Sequence, residues 1–237
     1  MKNIRHIFLS IALVLLLTNR LPVAYAMDIE RSTEVLSEED RYALVKNINV
    51  SMFEIEPEKR AIECFDVSEE GFIAVGSGDS EEKTICVYTK EGVFQRGYKF
   101  NCSGDFGVEL DRDTPIIYLV RSNVVITVNS QGEIEKAEKV KDSSENTAYW
   151  NRAVFSTTQK VGETEYSIRN NMGILNILTS SYAQLIAVDE GGEERILYDV
   201  SSNQTSKTVL FLIVATFFVC IVMAVVVRQF VKLKRNI

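Results

Sequence analysis

Histidine is almost missing from this chain of 237 residues. The one copy, His6, lies in the first apolar stretch, and nothing after it carries an imidazole. A domain built from the later residues therefore has no histidine general base, no Ser-His-Asp triad, no Cys-His pair and no histidine metal ligand. Cysteine is scarce as well. Cys64, Cys86 and Cys102 are spaced 22 and 16 residues apart, which fits neither a Cys-x-x-Cys zinc unit nor a thiol-exchange motif, and Cys220 sits in an apolar run. Three cysteines allow one disulfide with a spare thiol, or three free thiols, but not a disulfide framework. The glycine-rich Gly76-Ser-Gly-Asp79 lacks a following Gly-Lys-Ser/Thr and is no phosphate loop. Clustered Lys and Arg are absent between residues 27 and 207, which argues against nucleic-acid binding.

What is present at the two ends is apolar. Lys2 and Arg5 precede a short apolar core, Ile7 to Leu17, and Ala24-Tyr25-Ala26 is a small-x-small cleavage site. Residues 1–26 therefore read as a secretory signal peptide; Arg20 and Pro22 interrupt the run and argue against an uncleaved anchor. Thr208 to Val227 is a 20-residue stretch without charge, about 30 Å long as a helix, and without a polar face. It reads as a transmembrane helix. Arg228, Lys232, Lys234 and Arg235 follow it, so the tail, residues 228–237, is expected in the cytoplasm and the preceding domain outside. The span has no ionisable side chain and no Gly-x-x-x-Gly, so it reads as an anchor rather than a proton path or a dimerising helix. Between Met27 and Lys207 stand 33 acidic and 19 basic residues, a net charge of −14. Such a domain is soluble, is repelled by anionic lipid and attracts basic partners.

The interior is a repeat of short strands. Ile85-Cys-Val-Tyr-Thr-Lys-Glu-Gly92, Val125-Ile-Thr-Val-Asn-Ser-Gln-Gly132 and Leu185-Ile-Ala-Val-Asp-Glu-Gly-Gly192 each run from an apolar strand into a polar turn closed by glycine. The glycines are 40 and 60 residues apart, and an aromatic at the head of each unit, Phe65, Phe106 and Tyr166, repeats at 41 and 60. Unit one reads as strands Cys64–Val67, Phe72–Val75, Thr84–Thr89 and Val93–Phe100. Unit two reads as Phe106–Glu109, Ile116–Val120, Val124–Val128 and Ile134–Val140, and unit three as Tyr166–Arg169, Ile174–Leu178, Ala183–Val188 and Arg195–Val200. Ahead of them, residues 27–44 are polar, a tether or a short helix from Ser37 to Val45 capped by Ser37 with Asp40 at its third position, and Val45 to Phe53 alternates like a strand.

The expected fold is all-β. Three blade-like four-stranded antiparallel repeats lie within residues 45–202, with the transmembrane helix at residues 208–227; a β-sandwich is the alternative. An insertion, residues 141–161, separates units two and three and holds the one tryptophan. Its Tyr149, Trp150, Arg152 and Phe155 are either contact residues or a local core under a hairpin, Ala153–Thr158 with Thr164–Ile168. Phe72-Ile-Ala-Val75, Ile85-Cys-Val-Tyr88 and Gly92-Val-Phe-Gln-Arg96 resemble the blade rhythm of bacterial extracellular β-propeller proteins, over about Ala61 to Val200. The chain also looks like membrane-tethered ectodomain proteins of Gram-positive bacteria. Neither resemblance carries a catalytic residue over.

Function follows as an expectation. An unfinished array of sheets exposes strand edges and apolar faces that a partner would cover, either another envelope protein or a second copy. The chain is expected to be a non-enzymatic, membrane-anchored interaction module with no cofactor. The alternatives are a passive spacer and a surface glycan hydrolase using two carboxylates from Asp79, Glu81, Asp105, Glu109, Asp111 and Asp113. The run Asp105 to Asp113 also offers oxygens to calcium, without EF-hand spacing.

Overall fold

The structure is a computed structural model that describes residues 31–235, apart from 172, 174, 175, 177, 178 and 180. The expected signal peptide lies outside the described residues, as do four residues of the expected strand Ile174–Leu178.

The N-terminal segment is no loose tether. It forms β1 (Thr33–Val35), helix α1 (Glu38–Ile48) and β2 (Ser51–Phe53). Ser37 caps the helix by accepting the Asp40 N–H at 3.1 Å, and Asn49 ends it at φ 48°. The expected strand from Val45 is thus half wrong: residues 45–48 are helical. Leu44 and Ile48, four apart, share a face that packs on the core, and that spacing outweighs the local alternation.

Three antiparallel sheets follow, of five, five and four strands. The first sheet is a meander of β3 (Cys64–Val67), β4 (Ile73–Gly78), β5 (Glu82–Tyr88) and β6 (Phe94–Asn101), with β2 added beyond β6. The second is a meander of β7 (Phe106–Asp111), β8 (Thr114–Leu119), β9 (Val124–Val128) and β10 (Ile134–Val140), with β1 added beyond β10. In the third, β11 (Thr158–Val161), β12 (Thr164–Arg169), β13 (Gln184–Val188) and β14 (Glu194–Asp199) lie in chain order, with no fifth strand among the described residues. Among the described residues the strands close neither a barrel nor a ring of sheets.

The glycine marker is structural. Gly92, Gly132 and Gly192 have φ of 81°, 85° and 78°. Each donates its N–H to the residue three back, Thr89, Asn129 or Asp189, at 2.9, 3.0 and 2.9 Å. All three close the hairpin between the third and fourth strands, and each fourth strand then carries a register shift. This is the three-residue loop that needs a left-handed last residue. The aromatic marker fails in the third sheet. Phe65 and Phe106 lie on first strands, whereas Tyr166 lies on the second strand, β12, opposite Ala187. The true first strand, Thr158-Gln-Lys-Val161, comes from the insertion and is polar, so it shows no apolar signature.

The first sheet is the middle layer. On one face Cys64, Ala74, Ile85, Val87, Tyr98 and Phe100 pack with Phe106, Val108, Ile117, Leu119 and Ile126 of the second sheet. On the other, Phe65, Val67, Ile73, Val75, Cys86 and Tyr88 pack with Tyr166, Ile168, Leu185, Ala187 and Tyr198 of the third. Cys64 and Cys86 are buried in opposite faces, and no disulfide joins the described cysteines. Burial lifts the Cys86 thiol to about 11, leaving it an inert core residue.

The last helix, α3 (Ser201–Arg235), starts seven residues before the expected span. Its stretch Ser201–Met223 is long and apolar enough to cross a membrane, and none of it is buried against the protein.

The hairpin glycines are not equivalent to substitution. A Cβ on Gly132 would stand 2.9 Å from the Met52 backbone nitrogen, whereas nothing lies within 4 Å of one on Gly192. Gly192→Ala is expected to cost about 1 kcal/mol for its φ alone, and Gly132→Ala at least about 1 kcal/mol more because β2 must move. Denaturant unfolding of the full chain in micelles, followed by Trp150 fluorescence, measures both.

Candidate functional site

The first strands of the three sheets, β3, β7 and β11, converge under the insertion. A cleft of about 330 Å³ opens there, lined by Asp66, Glu69, Glu109, Arg152, Thr158 and Gln159 among others. Its floor is a hydrogen-bonded junction. Asp66, 8 % exposed on β3, accepts the Leu110 N–H of β7 at 2.6 Å and the Gln159 Nε2–H of β11 at 2.9 Å. Gln159 returns the contact by accepting the Val67 N–H at 2.9 Å. One carboxylate thus ties together all three first strands. Burial lifts its pKa to about 6 against the opposing pull of the Leu110 and Gln159 hydrogen bonds.

Glu109, on β7, forms the second wall. Its oxygens accept the hydroxyls of Tyr118 and Tyr149 in two short hydrogen bonds, and Arg31 Nη1 lies 3.3 Å away. The same guanidinium donates to the Tyr118 hydroxyl at 2.9 Å. Burial, then the Glu109 carboxylate, pushes the Tyr118 phenol well above its ordinary range, so it stays a donor.

The insertion is helical where a hairpin strand from Ala153 is the expectation. Helix α2 (Ser144–Tyr149) is capped by Ser143 and runs into a π-turn, Trp150–Val154. Buried Asn146 clamps it to the N-terminal segment, accepting the Ser32 N–H and donating to the Ser32 carbonyl, both at 2.9 Å. The four expected contact residues divide. Trp150 meets Tyr118 edge-on at 6.1 Å and Phe155 at 6.2 Å, and Tyr149 packs with them over Tyr118, Val125, Val140 and Val154. These aromatics cover the outer face of the second sheet. Gly107 makes the approach close, since a Cβ there would stand 2.1 Å from Val154 Cγ1. Arg152 alone of the four is exposed, on the rim of the cleft, and among the described residues it makes no ion pair.

A second hollow, of about 320 Å³, lies on the other side of the insertion and is lined by Asp105, Lys141, Asp142, Asn146 and Trp150 among others. The Trp150 Nε1 is buried without a hydrogen-bond partner among the described residues.

The acids weighed for hydrolysis scatter. Glu109 is held as described, Asp79 pairs with Arg60 at 3.0 Å, and Asp113 pairs with Arg96 at 2.6 Å. Asp111 closes the β7–β8 turn opposite Thr114, Asp105 lines the second hollow, and Glu81 stands exposed before β5. Among the described residues no three His, Cys, Asp or Glu side chains gather as a metal site. The residues that build the cleft floor and brace it, Asp66 and Gln159 in the floor and Arg31 and Asn146 behind it, carry no motif. A polar residue inside an apolar strand, Asp66 within Cys-Phe-Asp-Val, is the one signal that could have found them.

The Asp66 carboxyl holds its proton more tightly folded than unfolded, so its ionisation opposes folding. Below about pH 4 it contributes nothing, and as pH rises from about 4 through about 6 it removes on the order of 2 kcal/mol. Asp66→Asn, whose amide cannot ionise, is expected to flatten stability over that window. Denaturant midpoints at half-unit pH steps measure it.

No protein-family model matches the chain and no curated protein matches it, so its function is argued from this geometry alone.

Proposed function

We propose that the chain is a membrane-anchored interaction module. Its three sheets act as blade-like repeats displayed outside the cell, α3 crosses the membrane and the basic tail lies in the cytoplasm. The observation that carries the reading is the pairing of an unburied apolar helix with a cleft whose central acids, Asp66 and Glu109, are already engaged. An apolar stretch with none of its length buried within its own chain needs lipid around it. In the cleft, Asp66 and Glu109 spend their oxygens on the fold, leaving Glu69 and Arg152 as the exposed charges of its lining. Carboxylates so occupied hold a shape rather than act as an acid and base, which favours recognition over hydrolysis. The basic residues after the span favour the outward orientation, and the net charge of −14 keeps the domain off the anionic bilayer surface. The partner is another envelope protein or a second copy, meeting Arg152 with a carboxylate or carbonyl.

Two measurements on cells making the full chain test this. Protease added outside is expected to remove the β domain and spare the span and tail. A photo-crosslinker replacing Arg152 is expected to give a discrete adduct, absent when it replaces Tyr42, which is 73 % exposed on α1. A domain protected from outside protease, or the same adducts at both positions, rejects the reading.

A further inference from the structure

The three meanders are not finished alike. Counting back from the first residue of each closing turn, the third residue of the third strand is Cys86, Ile126 or Ile186. Opposite them on the fourth strands stand Gly97, Ala137 and Ile196. In the first sheet β2 pairs with β6 from Gly97 to Lys99, and the Phe53 ring lies over Gly97, 2.2 Å from where a Cβ would be. In the second sheet β1 pairs with β10 from Glu138 to Val140. The corresponding rows of the third sheet are Ile196, Tyr198 and Asp199. There β14 pairs only with β13, and among the described residues no backbone bond reaches its far edge. Ile196, in the row that Phe53 covers in the first sheet, is 52 % exposed.

We propose that this free edge of β14 accepts an extended segment of a partner protein, one that sets an apolar side chain against Ile196 and a basic residue against the neighbouring turn. The inference rests on the interaction reading and gives it a surface. An unpaired edge presents N–H and C=O groups that a foreign strand can satisfy, and main-chain bonding of this kind is a general mode of peptide recognition. The usual devices against it are weak here. β14 carries no Lys or Pro; of its charged side chains Glu194 is paired with Arg169, which leaves Arg195 and Asp199 as its charged guards. Its register shift at Leu197 has counterparts at Gln95 in β6 and Glu135 in β10, and both of those strands accept a neighbour. Three-residue strands, β1 and β2, suffice at the equivalent edges, so a short segment is enough. Charge chooses the partner. Glu190 and Glu193 stand exposed on the turn beside β14, in a domain of net charge −14. Two copies meeting edge to edge would bring together two domains that each carry a net charge of −14, whereas a basic segment is attracted.

The full chain in detergent micelles is tested with a synthetic peptide, Lys-Thr-Val-Thr-Val-Lys, by amide hydrogen exchange. The β14 amides that do not bond β13 are expected to exchange freely alone and about tenfold more slowly at saturating peptide. Ile196→Lys, an exposed change, and the double change Glu190→Lys with Glu193→Lys are each expected to weaken binding about tenfold. Slow exchange without peptide means the edge is already covered within the chain and overturns the proposal. So do absence of protection, and protection that both variants leave unchanged. Light scattering that shows a concentration-dependent dimer abolished by Ile196→Lys assigns the edge to a second copy and overturns the foreign-strand assignment. Failure here with the Arg152 adduct intact removes only this surface; loss of both removes the interaction reading.

Discussion

The structure depends on burying both faces of the first sheet. Strands β3, β4 and β5 are buried at nearly every position, so their side chains point alternately into two separate cores. A sheet of that kind is unstable alone and stable only as a middle layer. It needs the second sheet on one side and the third on the other, and each fully buried Val, Ile or Phe contributes on the order of 2 kcal/mol to holding them. The outer layers need cover of their own. The second sheet is covered by the insertion, whose Tyr149, Trp150 and Phe155 pack on its far face. The insertion is therefore as much a part of the core as the strands.

Apolar stacking brings the sheets together without fixing where their first strands meet. That is decided by polar groups. Asp66 bonds to β7 and β11 at once, and Glu109 gathers Arg31, Tyr118 and Tyr149. Buried donors and acceptors cost free energy when left unmatched, so these networks specify one arrangement among the many that greasy surfaces allow. The N-terminal segment belongs to the same system. Arg31 and Ser32 reach Glu109 and Asn146, and β1 then finishes the second sheet. A segment that reads as a polar tether or a short helix is thus a helix flanked by two strands that finish two sheets.

The proposed surfaces are what these requirements leave over. Arg152 remains exposed at the rim while Asp66 and Glu109 are occupied, and the edge of β14 remains because the N-terminal segment supplies two finishing strands for three sheets among the described residues. α3 begins directly beyond β14, so the third sheet is the one nearest in sequence to the span.

Much of the fold is legible in the chain itself. Two-residue alternation and the glycines at 92, 132 and 192 mark the closing hairpins, because only a left-handed residue ends that loop and glycine takes it without strain. Lack of histidine, the acidic domain and the uncharged run after Thr208 bound the chemistry and the setting by composition alone. The first strand of the third sheet was not legible, since β11 is polar and the contacts that seat it, from Gln159 to Val67 and Asp66, lie 92 and 93 residues away. Nor was the helix to Ile48, where a core contact overrides local alternation. Local sequence determines the strands and turns, since backbone preference and period act over a few residues. The cleft and the open edge were decided only by tertiary structure, because they depend on which distant polar groups find each other and on how many strands are left to cover an edge.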